Sequence, residues 1–281
     1  MPVEAVRQRL IAHVRSVFNE RGQQPVPPSD DAWFEKDSPI RLVHADIVGM
    51  MVGGVRGLLL QMLHPHALQG VLDHSDFRAD MHGRLRRTAR FIAVTSFGHA
   101  DAAQEAVDRV NRIHAAVGGS LPDGGAYRAT DPRVLAWVHV AEATSFLAGY
   151  RRYVAPDWPQ AKADRYFEQF ALIADKLGAD PVPRSEAAAT AMFEDMRGDL
   201  ATSAAAREVA RLVLAQRPPG TPAALQKMIA AEAVALLPDW ARGMLGLNAP
   251  RLSALPARLG TLATARTLRW AFRQQGGYRG S

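Results

Sequence analysis

The chain contains no cysteine. That excludes disulfides, iron–sulfur clusters on thiolates, a thiolate-ligated haem and covalent haem attachment through C-x-x-C-H, so any iron would rest on histidine or oxygen. Aromatic residues make up only 7% of the sequence, and alternating Val/Ile/Thr runs are missing, which disfavours strand. The most apolar stretch, Ile40 to Leu63, is interrupted by Arg41, Asp46 and Arg56. No uncharged segment therefore approaches the about 20 residues that a spanning helix needs. Met1 to Arg7 includes Glu4 and has no apolar signal core, so a soluble, cytoplasmic protein is expected. H-E-x-x-H, P-loop, G-x-G-x-x-G and G-x-S-x-G motifs are also absent, and no Glu-x-x-His pair occurs. Zincin, nucleotide-binding, common hydrolase and helical di-iron carboxylate readings thereby lose their mechanical parts.

What is present is alanine, leucine and arginine, with 48% hydrophobic content in 281 residues, ample for a core. These residue choices favour helix almost throughout. The expectation is an all-α, single globular domain of about ten helices over residues 1–281, enclosing a cofactor pocket, with a mobile tail from Gln274 to Ser281. The net charge of +6 comes from scattered arginines. A solvated basic surface explains it better than nucleic-acid binding, and no nucleic-acid partner is expected.

Apolar spacing and breakers predict a first helix over Val3 to Asn19 and a short capped segment through Trp33 and Phe34. Helix then runs through Leu63 to a junction at His64-Pro65, with Gly49, Gly53, Gly54 and Gly57 allowing close backbone approach. Further helices are predicted over His82 to Phe97 and Asp101 to Val117, followed by a loop at 118–125. Asp131-Pro132 opens a long helix to Tyr153. Others follow through Tyr166 to Leu177, Ser185 to Asp199, Ser203 to Gln216, Thr221 to Leu237 (with Thr221-Pro222 as a second cap) and Leu252 to Arg273.

The histidines are unevenly placed. Of nine, six (His64, His66, His74, His82, His99 and His114) fall between positions 64 and 114, in segments that otherwise read as buried helix. Arg84, Arg87, Thr88 and Phe91 share one helical stripe, so two fixed cations flank a hydroxyl. Such a stripe could hold propionates, an acidic substrate or an oxyanion, although spacing alone favours a solvated arginine face. His114 sits among Val107, Val110, Ile113 and Val117 and is expected to point into the core. It could be an iron ligand or a core histidine satisfied by ordinary hydrogen bonds. His139 and Glu142 form an i, i+3 pair read as structural or supporting. His64 and His66 flank the junction, where they could turn into a cavity or cap free backbone groups. Asp73-His74-Ser75-Asp76 is read as capping a helix near Phe77.

Several blocks, in order, resemble the MpaB/latex-clearing-protein oxygenase superfamily: Leu60-Gln61-Met62-Leu63-His64-Pro65, Gly70 to Phe77, Gly83-Arg84-Leu85-Arg86-Arg87-Thr88, Val110-Asn111-Arg112-Ile113-His114 and Asp131 to His139. They span roughly Gly54 to Tyr153, and the resemblance implies a family-like core over 40–250. The resemblance implies an all-α fold around a non-covalent haem b (iron protoporphyrin IX) and dioxygen-dependent oxidation of an apolar, isoprenoid or lipid-like substrate, and peroxide is kept as a second oxidant. It makes His114 the metal ligand and places Arg84 and Thr88 beside the haem, with His64 and His139 as further cofactor-pocket residues. Arg84, Arg87 and Thr88 become the catalytic candidates. In one place the chain departs from the latex-clearing branch, which has a lysine where Arg87 stands. A guanidinium keeps its proton and is a poor iron ligand, and that branch's acidic catalytic residue has no secure counterpart here. The alternatives are a haem carrier or sensor without turnover and, less favoured, a basic helical DNA-binding regulator.

Overall fold

The computed structural model describes residues 24–75, 80–217, 221–248 and 260. The helix predicted over Val3 to Asn19, nearly all of that over Leu252 to Arg273 and the glycine-rich tail lie outside the described residues.

Among the described residues the fold is all-α, with eleven α-helices, one 3₁₀ turn and a two-stranded hairpin. In chain order these are α1 (Pro39–Ala45), α2 (Ile47–Gln61), α3 (Pro65–His74), α4 (Met81–Phe97), α5 (Ala100–Ala115), β1 (Gly118–Ser120), β2 (Ala126–Arg128), α6 (Pro132–Tyr153), α7 (Gln160–Lys176), α8 (Glu186–Asp195), the 3₁₀ turn Met196–Asp199, α9 (Ala204–Ala215), α10 (Ala223–Ala235) and α11 (Asp239–Leu245). No single helix is long and apolar enough to cross a membrane. The pair α1 and α2 passes such a test only together, and the two are bent by 89° around Asp46, which caps α2 by accepting the Gly49 amide at 2.7 Å.

α6 is the central rod. Asp131 caps it as its sequence predicts, accepting the amides of Arg133 at 2.9 Å and Val134 at 3.3 Å. The helix buries residues on all sides, including Trp137, His139, Ala141, Phe146 and Tyr150. Glycine lets α2 lie directly against it. A Cβ on Gly53 would fall 2.7 Å from the Ser145 carbonyl oxygen, and one on Gly149 would collide with the Gly49 carbonyl oxygen. Position 49 thus faces 149, 53 faces 145–146 and 57 faces 141–142, so the helices run antiparallel and carry Gln61 toward Glu142. Beyond this seam, Leu59, Leu60, Met62, Leu63, Trp137, Tyr166 and Phe167 are fully buried in the main core.

Several predictions differ from the structure. Trp33 and Phe34 lie in turns and bends rather than a helix. The segment around 118–125 is a hairpin, with Gly118 opposite Arg128 and Ser120 opposite Ala126. It is pinned to α3 by the Tyr127 hydroxyl, which donates to Asp73 Oδ2 at 2.6 Å. Asp73 therefore anchors the hairpin from within α3 and Asp80 caps α4, whereas Asp76 and Phe77, part of the predicted cap, lie outside the described residues. Thr221 does not cap α10: its hydroxyl oxygen is buried without a hydrogen-bond partner among the described residues, and Pro222 holds the cap position. The short α11 escaped the periodicity altogether.

Candidate active site

α4 carries the predicted arginine stripe, but its members go to different environments. Arg87 donates to Asp80 Oδ2 at 3.1 Å, with side chains 57% and 53% exposed, so its charge is matched at the surface end of the helix. Arg90 donates to the Gln24 carbonyl. Thr88 is exposed, and its hydroxyl donates to the Arg84 carbonyl at 3.2 Å. Arg84 is half-buried, and its guanidinium forms no hydrogen bond or ion pair among the described residues. Burial, followed by the like charge of Arg87, lowers its pKa, against a smaller opposing pull from Glu142. Of the three catalytic candidates, Arg84 alone combines partial burial with an unmatched charge, and Arg87 is directed outward.

His114 lies in the last turn of α5, continuing the stripe of its buried residues Ala103 and Val107. Its ring Nδ1 is buried and lacks a hydrogen-bond partner among the described residues. Burial and then neighbouring Arg84 hold the imidazole below its usual pKa, so the ring is neutral at pH 7 and keeps a lone pair. The apolar surround expected from the sequence is only partly present. Ile113 is 52% exposed, because adjacent positions on a helix point about 100° apart.

Across from Arg84, Glu142 of α6 accepts a hydrogen bond from Gln61 Nε2 at 3.0 Å. The carboxyl keeps some surface open yet lies deep among protein atoms. Burial pushes its pKa up to about 7, against the opposing effects of the Gln61 bond and Arg84. Glu142 was read from sequence as the partner of His139, and that contact is replaced by the Gln61 bond. His139 instead packs edge-on against Phe170, ring centroids 4.8 Å apart. Its Nε2 is buried without a partner among the described residues, and desolvation lowers its pKa to about 4. His64 is placed at the α2–α3 junction, where its Nδ1 accepts the His66 amide at 3.3 Å. It caps α3 by accepting an amide, and among the described residues no hydrogen bond or ring contact links it to Arg84 or His114.

Two residues stand outside the site candidates read from the sequence. Glu142 is one, since nothing in its spacing reveals Gln61 and Arg84 as neighbours. His44 is the other, being remote from the histidine-rich run. Its Nδ1 lies 2.7 Å from Ser96 Oγ, its Nε2 is buried and unpartnered among the described residues, and Phe146, Tyr166 and Phe170 surround the ring edge-on. Desolvation takes its pKa to about 3, which marks a neutral core histidine.

The cluster is therefore His114, Arg84, Glu142 and Gln61, with Arg84 within electrostatic reach of both titratable neighbours. Such a set can offer one neutral nitrogen to a metal, a guanidinium to a carboxylate or oxyanion, and a carboxyl that gains or loses a proton near neutrality. Among the described residues no group of three or more His, Asp or Glu converges to hold a bare metal ion.

Residues 41–271 match the family described as ER-bound oxygenase mpaB/B'/Rubber oxygenase, catalytic domain. The match covers most of the chain, which therefore belongs to this family and is an enzyme of the oxygenase class. Comparison with curated proteins and with solved structures gave no match.

A raised carboxyl pKa carries a sign for stability. Between the ordinary value of 4.5 and about 7 the native state binds more protons at Glu142 than the unfolded state does, so this group's contribution falls as pH rises. Glu142→Gln keeps an acceptor for Gln61 and removes the titration. The melting temperature of the variant, relative to wild type, should therefore climb with pH across that window and level off above it. A difference independent of pH would mean that Glu142 titrates normally.

Proposed function

We propose that this chain is a haem b-dependent oxygenase in which His114 is the protein ligand to iron and Arg84 pairs with a haem propionate. One observation carries the reading: a buried, unpartnered imidazole nitrogen stands beside a half-buried guanidinium that has no carboxylate partner among the described residues. These residues fit a tetrapyrrole better than a bare ion. A porphyrin brings four equatorial nitrogens of its own and needs only one protein nitrogen, which agrees with the lack of a three-residue ligand cluster. When bound, haem would supply activation of dioxygen or peroxide.

The remaining roles belong to the chain. His114, kept neutral by burial, offers its lone pair. Arg84 neutralises an anionic edge and lowers the cost of placing it inside the protein. Glu142, held by Gln61, is poised to keep or release a proton near pH 7. Apolar side chains around α4 and α6 suit an apolar substrate, isoprenoid or lipid-like. Thr88 stands one turn from Arg84 on the same stripe, where its hydroxyl could turn from its own helix to a ligand. Arg87, held by Asp80, is left out of the chemistry.

The test is the absorbance spectrum of protein from haem-supplemented cells, before and after dithionite and carbon monoxide. A Soret band that shifts with carbon monoxide is expected, as for a haem with an open coordination position. No Soret band, even after reconstitution with haem, would overturn the proposal.

A further inference from the structure

A pocket of about 370 Å³ opens on the face of α6 opposite Glu142. Thr144, Leu147, Ala148 and Arg151 line it at spacings of three, four and seven residues, whereas His139, Glu142 and Phe146 occupy the other side of the helix. Phe167, Phe193 and Trp240 supply aromatic walls, and Arg56 of α2 contributes a cation.

Arg56 is the unusual member. It is 93% buried by area, with 7% exposed, yet all its hydrogen bonds go to neutral oxygens: Nε to the Leu236 carbonyl at 2.8 Å, and Nη1 to Ser145 Oγ at 2.6 Å and Thr144 Oγ1 at 3.4 Å. Its Nη2 has no hydrogen bond among the described residues. Both carboxylates in the pocket wall are already matched. Glu186 is bridged by Arg151, with the second contact at 3.0 Å, and Glu194 accepts from Arg197 at 3.1 Å. The charges therefore cancel in pairs and leave one buried cation unneutralised. A buried charge without a counter-ion is costly, and aromatic surface around it favours a partner with an apolar body.

We infer that this pocket binds a small organic monocarboxylate, its carboxylate on Arg56 Nη2 and its aromatic or branched body against Phe193 and Trp240. The volume lies within the usual range for small-molecule sites. Thr144 and Thr190 also line the wall, their hydroxyls donating to the carbonyls of Val140 at 2.8 Å and Glu186 at 3.0 Å. The site does not depend on haem, since no residue of the His114 and Arg84 cluster lines it.

Calorimetric titration of the full chain with benzoate, phenylacetate and hexanoate, each against its primary amide, tests the inference. At least one acid should bind about ten-fold or more tightly than its amide, as expected when a charge-assisted bond replaces a neutral one. Arg56→Met should weaken that acid by about ten-fold and leave the amide almost unchanged. Thr190 is exposed, so Thr190→Glu places a repelling carboxylate in the wall with little risk to folding. It should weaken the acid to a similar degree and carries the test if Arg56→Met does not fold. The inference fails if acids and amides bind alike, if binding survives Thr190→Glu undiminished, or if no acid binds below about 10 mM, a level weaker than specific small-ligand sites.

Discussion

Protein carrying His114→Ala is expected to emerge from haem-supplemented cells with at least about ten-fold less bound haem than wild type, and without a carbon monoxide-sensitive Soret band. The estimate is conservative, since loss of a supporting residue around a metal ligand already costs about 10- to 100-fold in affinity and this variant removes the ligand itself. The fold should tolerate the change. His114 is half-buried at the end of α5, and its buried nitrogen makes no hydrogen bond among the described residues that the variant would break. Far-ultraviolet circular dichroism should be unchanged while the haem-to-protein absorbance ratio collapses. Supplying imidazole should restore part of the spectrum by filling the vacated position. Haem content equal to wild type would remove His114 from the metal and leave Arg84 without its proposed role.

Gly149→Ala should produce the largest loss of stability among conservative changes. The added methyl group would meet the Gly49 carbonyl oxygen, which is backbone and cannot rotate aside. Both helices would have to separate along their whole contact. Overpacking of this kind costs roughly 3 kcal/mol or more at the upper end of its range. For a chain of this size that corresponds to a fall of roughly 6–12 °C in Tm. Gly54→Ala is the matched control, because its Cβ would meet only Phe146 Cε1 at 3.9 Å. There the helix propensity of alanine should dominate, worth up to about 1 kcal/mol in favour of the variant. Similar losses at both positions would mean that helix packing here is looser than the close approach implies.

The sequence makes the helices legible wherever punctuation agrees with period. Asp131-Pro132 announces α6, His64-Pro65 announces the α2–α3 junction, and the glycines of α2 mark a tight contact without naming its partner. What stays hidden is non-local. Nothing in the order of residues says that Gln61 meets Glu142 across 81 positions, so Glu142 is assigned to the nearer His139. The arginine stripe shows a similar limit. Helical spacing groups Arg84, Arg87 and Thr88, but Asp80, seven residues before Arg87, draws that side chain outward, and only Arg84 keeps an unmatched charge. Thr221-Pro222 offers a cap by composition, yet the hydroxyl is turned into the interior instead. Local chemistry proposes candidates, and packing decides which of them face one another.

Because Glu142 and Thr144 are only about 3 Å apart along the α6 axis, that helix works as a partition one backbone thick, with a proton-bearing compartment on one side and an anion-seeking one on the other. Glycine clamps the partition to α2, so it has little freedom to bow toward either side. Substitutions in the seam should consequently be felt in both compartments at once, shifting the Glu142 titration and the affinity for monocarboxylates together, whereas substitutions in either wall should be felt in one alone.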